Sequence, residues 1–323
     1  MIYAGIDEAG YGPLLGPLCV GASAFRLAGR ESVAADAPAP DLWKLLDAGV
    51  CRAPKDKRRR IAVADSKKLK GVGGASVHPL AHLERGVLAF LPGEPPADDR
   101  ALLASLGVHA PASRATPWHG AALAAPVALA PDELRIARNL VANALDRAEI
   151  ACARLSVAAL DAPAFNALYG TLRNKASVNL SLVLDALRSI DLLRDGAPAL
   201  VAIDRQGGRA EYAPLLADHV ARGARIRTIE ESEMRSAYEI GDGLVVSFEV
   251  EADTKHLPVA LASMAAKYVR ELFMRRLNGF FTERVPGLAP TAGYVTDGRR
   301  YLAEVKPVLA AAGIPESEFA RVV

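Results

Sequence analysis

The stretch that decides the fold prediction is residues 6–13, which read Ile-Asp-Glu-Ala-Gly-Tyr-Gly-Pro. Residues 1–6 form a short apolar run that predicts a strand, and a glycine-bracketed turn follows at once. Asp7 and Glu8 therefore stand at a strand end, where adjacent carboxylates are exposed and bind hard cations through oxygen. If further carboxylates arrive from neighbouring strands, such a site can hold two metal ions for phosphodiester chemistry.

Later in the chain, two more acids follow apolar runs. Asp204 comes directly after residues 199–203, and Asp253 lies just beyond residues 244–250. Helical patterns lie between and after these runs, at residues 131–153, 178–193 and 259–277. Strands that alternate with helices predict an α/β sheet, and sites in such sheets form where strand ends converge. Glu251 is a rival to Asp253, because residues two apart share one side of an extended segment.

Five groups of short motifs follow one another along the chain. They are Gly-Ile-Asp-Glu-Ala-Gly at 5–10 with Gly-Pro-Leu at 16–18, Ala-Asp-Ser-Lys-Lys-Leu at 64–69, Ile-Asp at 203–204, Ala-Asp at 252–253 with Ala-Ser at 262–263 and Ala-Lys at 266–267, and Gly-Tyr-Val-Thr at 293–296. In this order they resemble the type 2 ribonuclease H family, which includes bacterial ribonuclease HII. The resemblance implies an α/β, ribonuclease H-like fold with a central mixed sheet flanked by helices and a C-terminal helical extension.

The resemblance also implies catalytic and metal-binding roles for four acids: Asp7, Glu8, Asp204 and Asp253. It selects Asp253 over Glu251, because the Ala-Asp pair and the downstream Ser263 and Lys267 align with the family pattern. The implied cofactors are Mg²⁺ or Mn²⁺ in a two-metal site. The residues themselves agree, since hard divalent ions prefer oxygen ligands and the sequence has no cluster of soft ligands.

Substrate-binding roles follow from the same resemblance for eight residues: Gly10, Tyr11, Gly12, Lys67, Lys68, Ser263, Lys267 and Tyr294. Two of these assignments have alternatives. Lys67 and Lys68 are either ordinary surface lysines or contacts to phosphate groups. Tyr294 either packs in the core or stacks on a sugar or base of the substrate.

The turn departs from the family pattern at Tyr11, where relatives carry an arginine between the two glycines. The glycines still allow the backbone to approach a ribose closely, but a phenol does not replace a guanidinium as a phosphate ligand. We therefore expect weaker binding of RNA/DNA hybrids than in relatives, and less discrimination at an RNA–DNA junction. Tyr11→Arg is expected to bind more tightly, with a steeper salt dependence because it neutralises another phosphate charge.

Composition sets limits on the class of protein. The chain has 323 residues, a net charge of +2 and a pI near 8.4, which permit a nucleic-acid partner without demanding one. Its three cysteines are far apart and odd in number, so they predict neither a disulfide framework nor a zinc site. The sequence shows no signal-peptide pattern and no apolar run long enough to cross a bilayer. We expect a cytoplasmic monomer without membrane contact.

Domain organisation is predicted as a catalytic domain, residues 1–277, and an extension, residues 278–323, that packs near the substrate cleft. The catalytic domain carries insertions near residues 27–60 and 71–150, which are longer than the family core needs. Within the second insertion, residues 91–131 are rich in Ala, Pro and Gly and predict little regular structure. Trp118 and His119 are interpreted as a packing anchor for this insertion.

The leading function is a metal-dependent endonuclease that hydrolyses the RNA strand of RNA/DNA hybrids, leaving 5′-phosphate and 3′-hydroxyl ends. Its partner would be such a hybrid or a DNA duplex that contains ribonucleotides. One alternative is a nucleic-acid-binding protein that keeps the fold but cleaves weakly, which the altered turn motivates and the four retained acids oppose. Another is a related nuclease that acts on a different duplex, such as structured DNA.

Overall fold

The computed structural model describes residues 1–29, 38–71, 77–109, 113, 116–120, 122–205 and 207–322. Parts of both predicted insertions, including residues 30–37 and 72–76, lie outside the described residues. The strands are β1 (Ile2–Ala9), β2 (Leu18–Leu27), β3 (Val50–Cys51), β4 (Ile61–Ala62), β5 (Ile150–Leu160), β6 (Ala199–Asp204), β7 (Ile226–Glu231), β8 (Arg235–Ile240) and β9 (Leu244–Glu249).

The helices lie between and after these strands. They are α1 (Leu42–Leu45), α2 (Ser66–Leu69), α3 (Ala81–Phe90), α4 (Asp99–Ser105), α5 (Pro131–Arg147), α6 (Ala162–Leu172), α7 (Lys175–Arg194), α8 (Ala213–Leu216), α9 (Ala252–Lys255), α10 (Leu257–Thr282), α11 (Val295–Ala311) and α12 (Glu316–Phe319). No helix in the described ranges combines the length and the apolarity that crossing a membrane requires.

Seven strands form one sheet in the order β5-β2-β1-β6-β9-β8-β7. Strands β1, β6 and β9 are parallel neighbours, and the remaining pairs are antiparallel. The carboxyl ends of the three parallel strands therefore meet at one edge, with Ile6 opposite Ile203 and Asp204 opposite Glu249. Helices pack on both faces of the sheet. The predicted fold class, a central mixed sheet flanked by helices, is confirmed.

Helix α10 crosses one face of the sheet directly over β1 and β2, and two glycines allow this close approach. A Cβ atom on Gly5 would lie 2.2 Å from the Val259 amide nitrogen, and one on Gly21 would lie 2.1 Å from the Ala262 carbonyl oxygen. The Ser23 hydroxyl donates to the Pro258 carbonyl oxygen at 2.7 Å, which fastens the start of the helix. The opposite face is covered by α7, whose apolar residues pack against β1, β6 and β9.

Gly21→Ala is expected to destabilise the protein by about 1–3 kcal/mol, because the added methyl group overlaps a backbone atom that cannot move without shifting α10. The free energy of unfolding from urea titration measures this effect. Gly279→Ala on α10 is the control, since a Cβ there meets nothing within 4 Å. The control is expected to stabilise by up to about 1 kcal/mol through helix propensity. Equal values for the two variants would contradict the close packing described above.

The second insertion is more ordered than its composition predicts. Residues 91–131 contain α4 and a 3-10 turn at Pro117–His119, and Leu102, Leu103 and Leu106 are buried in the main core. The expectation of little regular structure is therefore wrong for the described part of this segment. Apolar residues spaced three and four apart, hidden among Ala and Pro, explain why the composition misled.

Two buried acids tie this insertion to the core. Glu84 accepts hydrogen bonds from the backbone amides of residues 127–129 and from the Tyr268 hydroxyl. Asp99 forms a fully buried ion pair with Arg276 of α10, with contacts of 2.7 and 2.8 Å. Since Arg276 also donates to the His119 carbonyl oxygen, the pair joins α4, the 3-10 turn and α10.

A boundary between two elements also differs from the prediction. The helix expected to reach residue 153 ends at Arg147, and β5 begins at Ile150, inside the segment predicted as helix. Glu149 adopts φ 54° between the two elements, which turns the chain. The early start of β5 is a tertiary effect, because Ile150 and Ala151 pair with the far end of β2.

The C-terminal helices pack on the second half of α10 around Trp118. The Trp118 ring lies 5.8 Å from the Phe281 ring and 5.4 Å from the Phe319 ring, measured between centroids. The interpretation of Trp118 as a packing anchor agrees with this cluster, which joins the second insertion to α10 and α12.

Candidate active site

A single cleft of about 590 Å³ lies at the edge of the sheet where β1, β6 and β9 end. All of the residues with a predicted site role line it: Asp7, Glu8, Asp204, Asp253, Gly10, Tyr11, Gly12, Lys67, Lys68, Ser263, Lys267 and Tyr294. They come from β1 and its turn, from β6, from α2, α9 and α10, and from the residue that precedes α11. The structure thus brings residues from almost the whole chain into one cleft.

Asp7 is the most buried of the four acids, with 7% of its surface exposed. Its side chain lies on the face of β1 that α10 covers, and its Oδ1 accepts a hydrogen bond from the Glu8 amide at 2.7 Å. Burial raises the pKa of Asp7 well above its usual range, and the charges of Glu8 and Asp204 raise it further. Ser263 opposes this shift as a hydrogen-bond partner, so α10 contributes directly to the site.

Asp204 is the last residue of β6, and its Oδ1 accepts a hydrogen bond from the Ala252 amide at 2.8 Å. Burial, together with the charges of Glu8 and Asp253, raises the pKa of Asp204 to about 7. The same hydrogen bond links the end of β6 to the start of α9. It therefore fixes Asp204 beside the helix that carries Asp253.

Asp253 and its rival Glu251 both line the cleft. Glu251 precedes α9 with a left-handed backbone, φ 55°, while Asp253 lies in the first turn of that helix. Burial raises the pKa of Asp253, and the charge of Asp65 adds to this shift while Lys67 opposes it. Asp253 therefore interacts electrostatically both with Asp204 and with the charged residues at the start of α2.

The donor set fits hard divalent cations in chemistry and in charge. Every acid offers oxygen, and the pKa values of Asp7 and Asp204 are raised first by burial and then by the charges of the neighbouring carboxylates, while Lys67 offsets only part of the shift at Asp204. Within the described ranges, no three His, Cys, Asp or Glu side chains are arranged closely enough to form a protein-only metal cage. Mg²⁺ is usually bound by one or two carboxylates together with water and substrate phosphates, so an open arrangement suits it.

The lysines of the cleft differ in their partners. Lys68 lies 3.7 Å from Asp65 and is largely exposed, whereas Lys267 pairs with Glu271 at 3.0 Å. Lys67 is the second residue of α2, its amide donates to the Asp65 cap, and its charge lowers the pKa of Asp204 and Asp253. These placements leave both interpretations of Lys67 and Lys68 open, and the phosphate contact stays a prediction.

Tyr294 does not pack in the core. Its side chain is 57% exposed and stands at the start of α11, beside the 10–17 turn that carries Tyr11. Gly293 before it has φ 83° and leaves no room for a side chain, since its Cβ would lie 2.4 Å from the Leu15 carbonyl oxygen. Of the two alternatives for Tyr294, core packing is therefore wrong.

Comparison with known proteins gives similar solved structures only. No protein-family model and no curated protein matches the sequence. A chain in the PCNA:RNase HII complex from Archaeoglobus fulgidus has 19% identity and a TM-score of 0.46, covering 100% of this chain and 94% of that chain. Ribonuclease H2 from Pyrococcus horikoshii OT3 has 16% identity and a TM-score of 0.48, covering 99% and 92%. Bst-RNase HIII in complex with Mn²⁺ has 16% identity and a TM-score of 0.43, covering 99% and 66%.

This chain resembles the type 2 ribonucleases H. Its ordered motifs lie on β1, α2, β6, α9, α10 and the start of α11, and these elements surround the cleft.

Three charged residues of the cleft were not selected from the sequence. Asp65 caps α2 and influences Asp253, although only the lysines of its motif received a role. Glu251 was set aside as a ligand, yet it also lines the cleft. Arg205 follows Asp204 directly, and its guanidinium donates to the Ser232 and Glu233 carbonyl oxygens. Its position after a strand-ending acid was the available signal.

Proposed function

We propose that this protein is a metal-dependent endonuclease that hydrolyses the RNA strand of RNA/DNA hybrids and leaves 5′-phosphate and 3′-hydroxyl ends. The observation that supports it is the group of four acids at one sheet edge, which share an open cleft with lysines and an exposed tyrosine. In this proposal, residues 1–277 form the catalytic domain, and residues 278–323 form an extension that packs beside the substrate cleft.

Asp7, Glu8, Asp204 and Asp253 would hold Mg²⁺ or Mn²⁺. Two bound ions would supply an activated water molecule and stabilisation of the leaving 3′ oxygen. Asp7 and Asp204 are suited to this role because their pKa values are raised in the metal-free protein, and a bound cation would relieve that electrostatic cost.

The other cleft residues would hold the duplex. Lys67, Lys68 and Lys267 carry cations beside the acids, where phosphate groups would bind and position the backbone. Gly10 has φ 86°, and a Cβ there would lie 2.6 Å from the Pro17 carbonyl oxygen, so the shape of the turn requires glycine. A Cβ on Gly12 would meet nothing within 4 Å, so its absence leaves the backbone free to approach a ribose. Tyr294 is exposed enough to stack on a sugar or base.

A panel of labelled duplexes tests this proposal with Mg²⁺, with Mn²⁺ and with EDTA. We expect cleavage of a long RNA/DNA hybrid with either metal and none with EDTA, with 5′-phosphate at the new ends. A duplex with one ribonucleotide and an all-DNA duplex complete the panel. Binding without cleavage would instead support the weakly catalytic binding protein, and cleavage of the all-DNA duplex would support a nuclease with another substrate. Either result would overturn the proposal.

A further inference from the structure

Two buried arginines hold the 10–17 turn from behind. Arg270 of α10 donates to the carbonyl oxygens of Pro17 at 3.1 Å and Leu15 at 3.2 Å, and is 2% exposed. Arg321 donates to the carbonyl oxygens of Gly10, at 2.7 Å, and Pro13. Both guanidinium groups therefore bind backbone carbonyl oxygens of this turn, and Arg270 also donates to the Ala292 carbonyl oxygen beside it, at 2.8 Å.

Neither arginine has a carboxylate partner among the described residues. Arg321 is 1% exposed, and its Nε and Nη1 atoms find no hydrogen-bond acceptor in the described part of the chain. Burial, together with the charge of Arg270, lowers the pKa of Arg321 to about 9. The turn thus rests on two guanidinium groups, and in the described ranges neither forms a direct ion pair, although the charge of Glu271 acts on Arg270. A positive potential favours an anion on the solvent side of the turn.

A third cation, the half-buried Lys175, lies beside Tyr11 of this turn. Its Nζ atom is 4.9 Å from the centroid of the Tyr11 ring, and it is the first residue of α7. Burial lowers the pKa of Lys175, and so does the nearby charge of Arg321. No carboxylate in the described ranges lies within ion-pair distance of it. A cation–π contact at an exposed ring contributes only about 0.5–1 kcal/mol, so most of the attraction of this ammonium group for an anion is unused.

We infer that Lys175, held against the Tyr11 ring, binds a backbone phosphate of the nucleic-acid substrate and supplies the cation that relatives place inside the turn. This inference rests on the proposed function. It assigns Tyr11 the role of a platform that sets the position of the ammonium group. A phosphate at this place would also lie near the positive end of the α7 dipole. Lys175 is then a positioning residue for the duplex and not a catalytic residue.

The test is the salt dependence of hybrid binding in EDTA, measured by fluorescence anisotropy for a labelled 20-base-pair RNA/DNA hybrid. Lys175→Gln removes one phosphate contact, so the slope of log K against log salt should become less steep by about one unit. This difference in slope predicts that the affinity of Lys175→Gln, compared with that of the parent, falls about eight-fold between 1 M and 0.1 M salt. Lys175→Arg should keep the slope of the parent. Arg188→Gln is the control, because it removes the same charge from α7 about 20 Å away.

Variants of Tyr11 separate the platform from its hydroxyl group. Tyr11→Phe should keep the parent slope, and Tyr11→Ala should behave like Lys175→Gln, since the ammonium group loses its support. An added positive charge at position 11 would by itself steepen the salt slope of Tyr11→Arg. This steeper slope should appear only when Tyr11→Arg is combined with Lys175→Gln, because no second cation then competes for the phosphate. If Tyr11→Arg steepens the slope equally in both backgrounds, the inference is wrong.

The outcomes also distinguish this inference from the proposed function. A parent that cleaves hybrid while Lys175→Gln keeps its salt slope would overturn the inference alone, and leave Lys175 with a packing role. A parent that binds hybrid without cleaving it would overturn the proposed function, while the slopes would still decide the role of Lys175. A parent that does not bind hybrid would overturn both.

Discussion

Asp204→Asn is expected to slow hybrid cleavage by about 100-fold or more, which corresponds to about 2.7 kcal/mol in activation free energy. Asp204 is the acid at the centre of the proposed ligand set, influenced by Glu8 and Asp253 and fixed by the Ala252 amide. Neutralising it removes a charged oxygen ligand and should weaken binding of Mn²⁺, measured directly by calorimetry. Single-turnover cleavage of a labelled hybrid measures the rate.

The same variant is expected to keep or raise the melting temperature of the metal-free protein at pH 8. Burial raises the pKa of Asp204 from 3.8 to about 7. Between these two pH values, the folded state therefore holds a proton on this carboxyl group that the unfolded state releases. The stability from that proton is present below the unfolded pKa and is lost as the pH rises through about 7. Asparagine carries no charge to desolvate, so Asp204→Asn does not lose this stability as the pH rises.

Asp185→Asn is the control for this experiment, since Asp185 forms an exposed ion pair with Arg188 far from the cleft. It should change neither the cleavage rate nor Mn²⁺ binding. Unchanged cleavage in Asp204→Asn would remove this residue from the site. A large loss of melting temperature in Asp204→Asn would show that its role is structural.

Asp99→Asn is expected to lower the free energy of unfolding by about 3–5 kcal/mol, because it leaves the buried Arg276 guanidinium without its counter-charge. Both side chains of this pair are almost completely buried, with exposed fractions of 1% for Arg276 and 0% for Asp99. Asp99 also accepts a hydrogen bond from the Leu123 amide, so the insertion should loosen with it. Urea unfolding at pH 7 measures the loss.

Asp132→Asn is the matched control, since Asp132 pairs with Arg135 at the surface and such pairs contribute about 0–1 kcal/mol. The double variant Asp99→Leu with Arg276→Met tests the reason for the loss. It should recover much of the stability, because apolar side chains of similar volume need no counter-charge. A single variant as stable as the control would contradict the assignment of this pair as a buried tie.

Local sequence predicted the acids of the cleft well and the supports behind them poorly. Asp7 and Asp204 follow apolar runs, and in a parallel pair the carboxyl ends of those runs must lie side by side. Lys175 has no such signal, because its neighbour Tyr11 lies far away in the chain and only folding brings them together. The same holds for Arg321 and Gly10, whose contact is visible in no local pattern.

The insertions show the opposite failure. Composition alone predicted a largely irregular segment for residues 91–131, yet α4 forms there because Leu102, Leu103 and Leu106 find a core to enter. Propensity is a weak prior when tertiary burial is available. The buried role of Asp99 could not be predicted from the sequence either, because an acid at the start of a helix is usually a surface cap. In the structure, Asp99 instead pairs with Arg276 of α10.

The position of β1 in the sheet has a consequence for how the protein is made. Strand β1 pairs in parallel with β6, so Ile2 has no partner on that side until Ala199 has been synthesised. One face of β1 stays exposed until α10, which covers it, has also been synthesised. At a translation rate of about 5–20 residues per second, this delay lasts roughly 15–60 s. During that interval the nascent chain exposes an apolar strand next to two acids, which is an aggregation hazard. Slower translation of the middle of the message is therefore expected to lower the soluble yield.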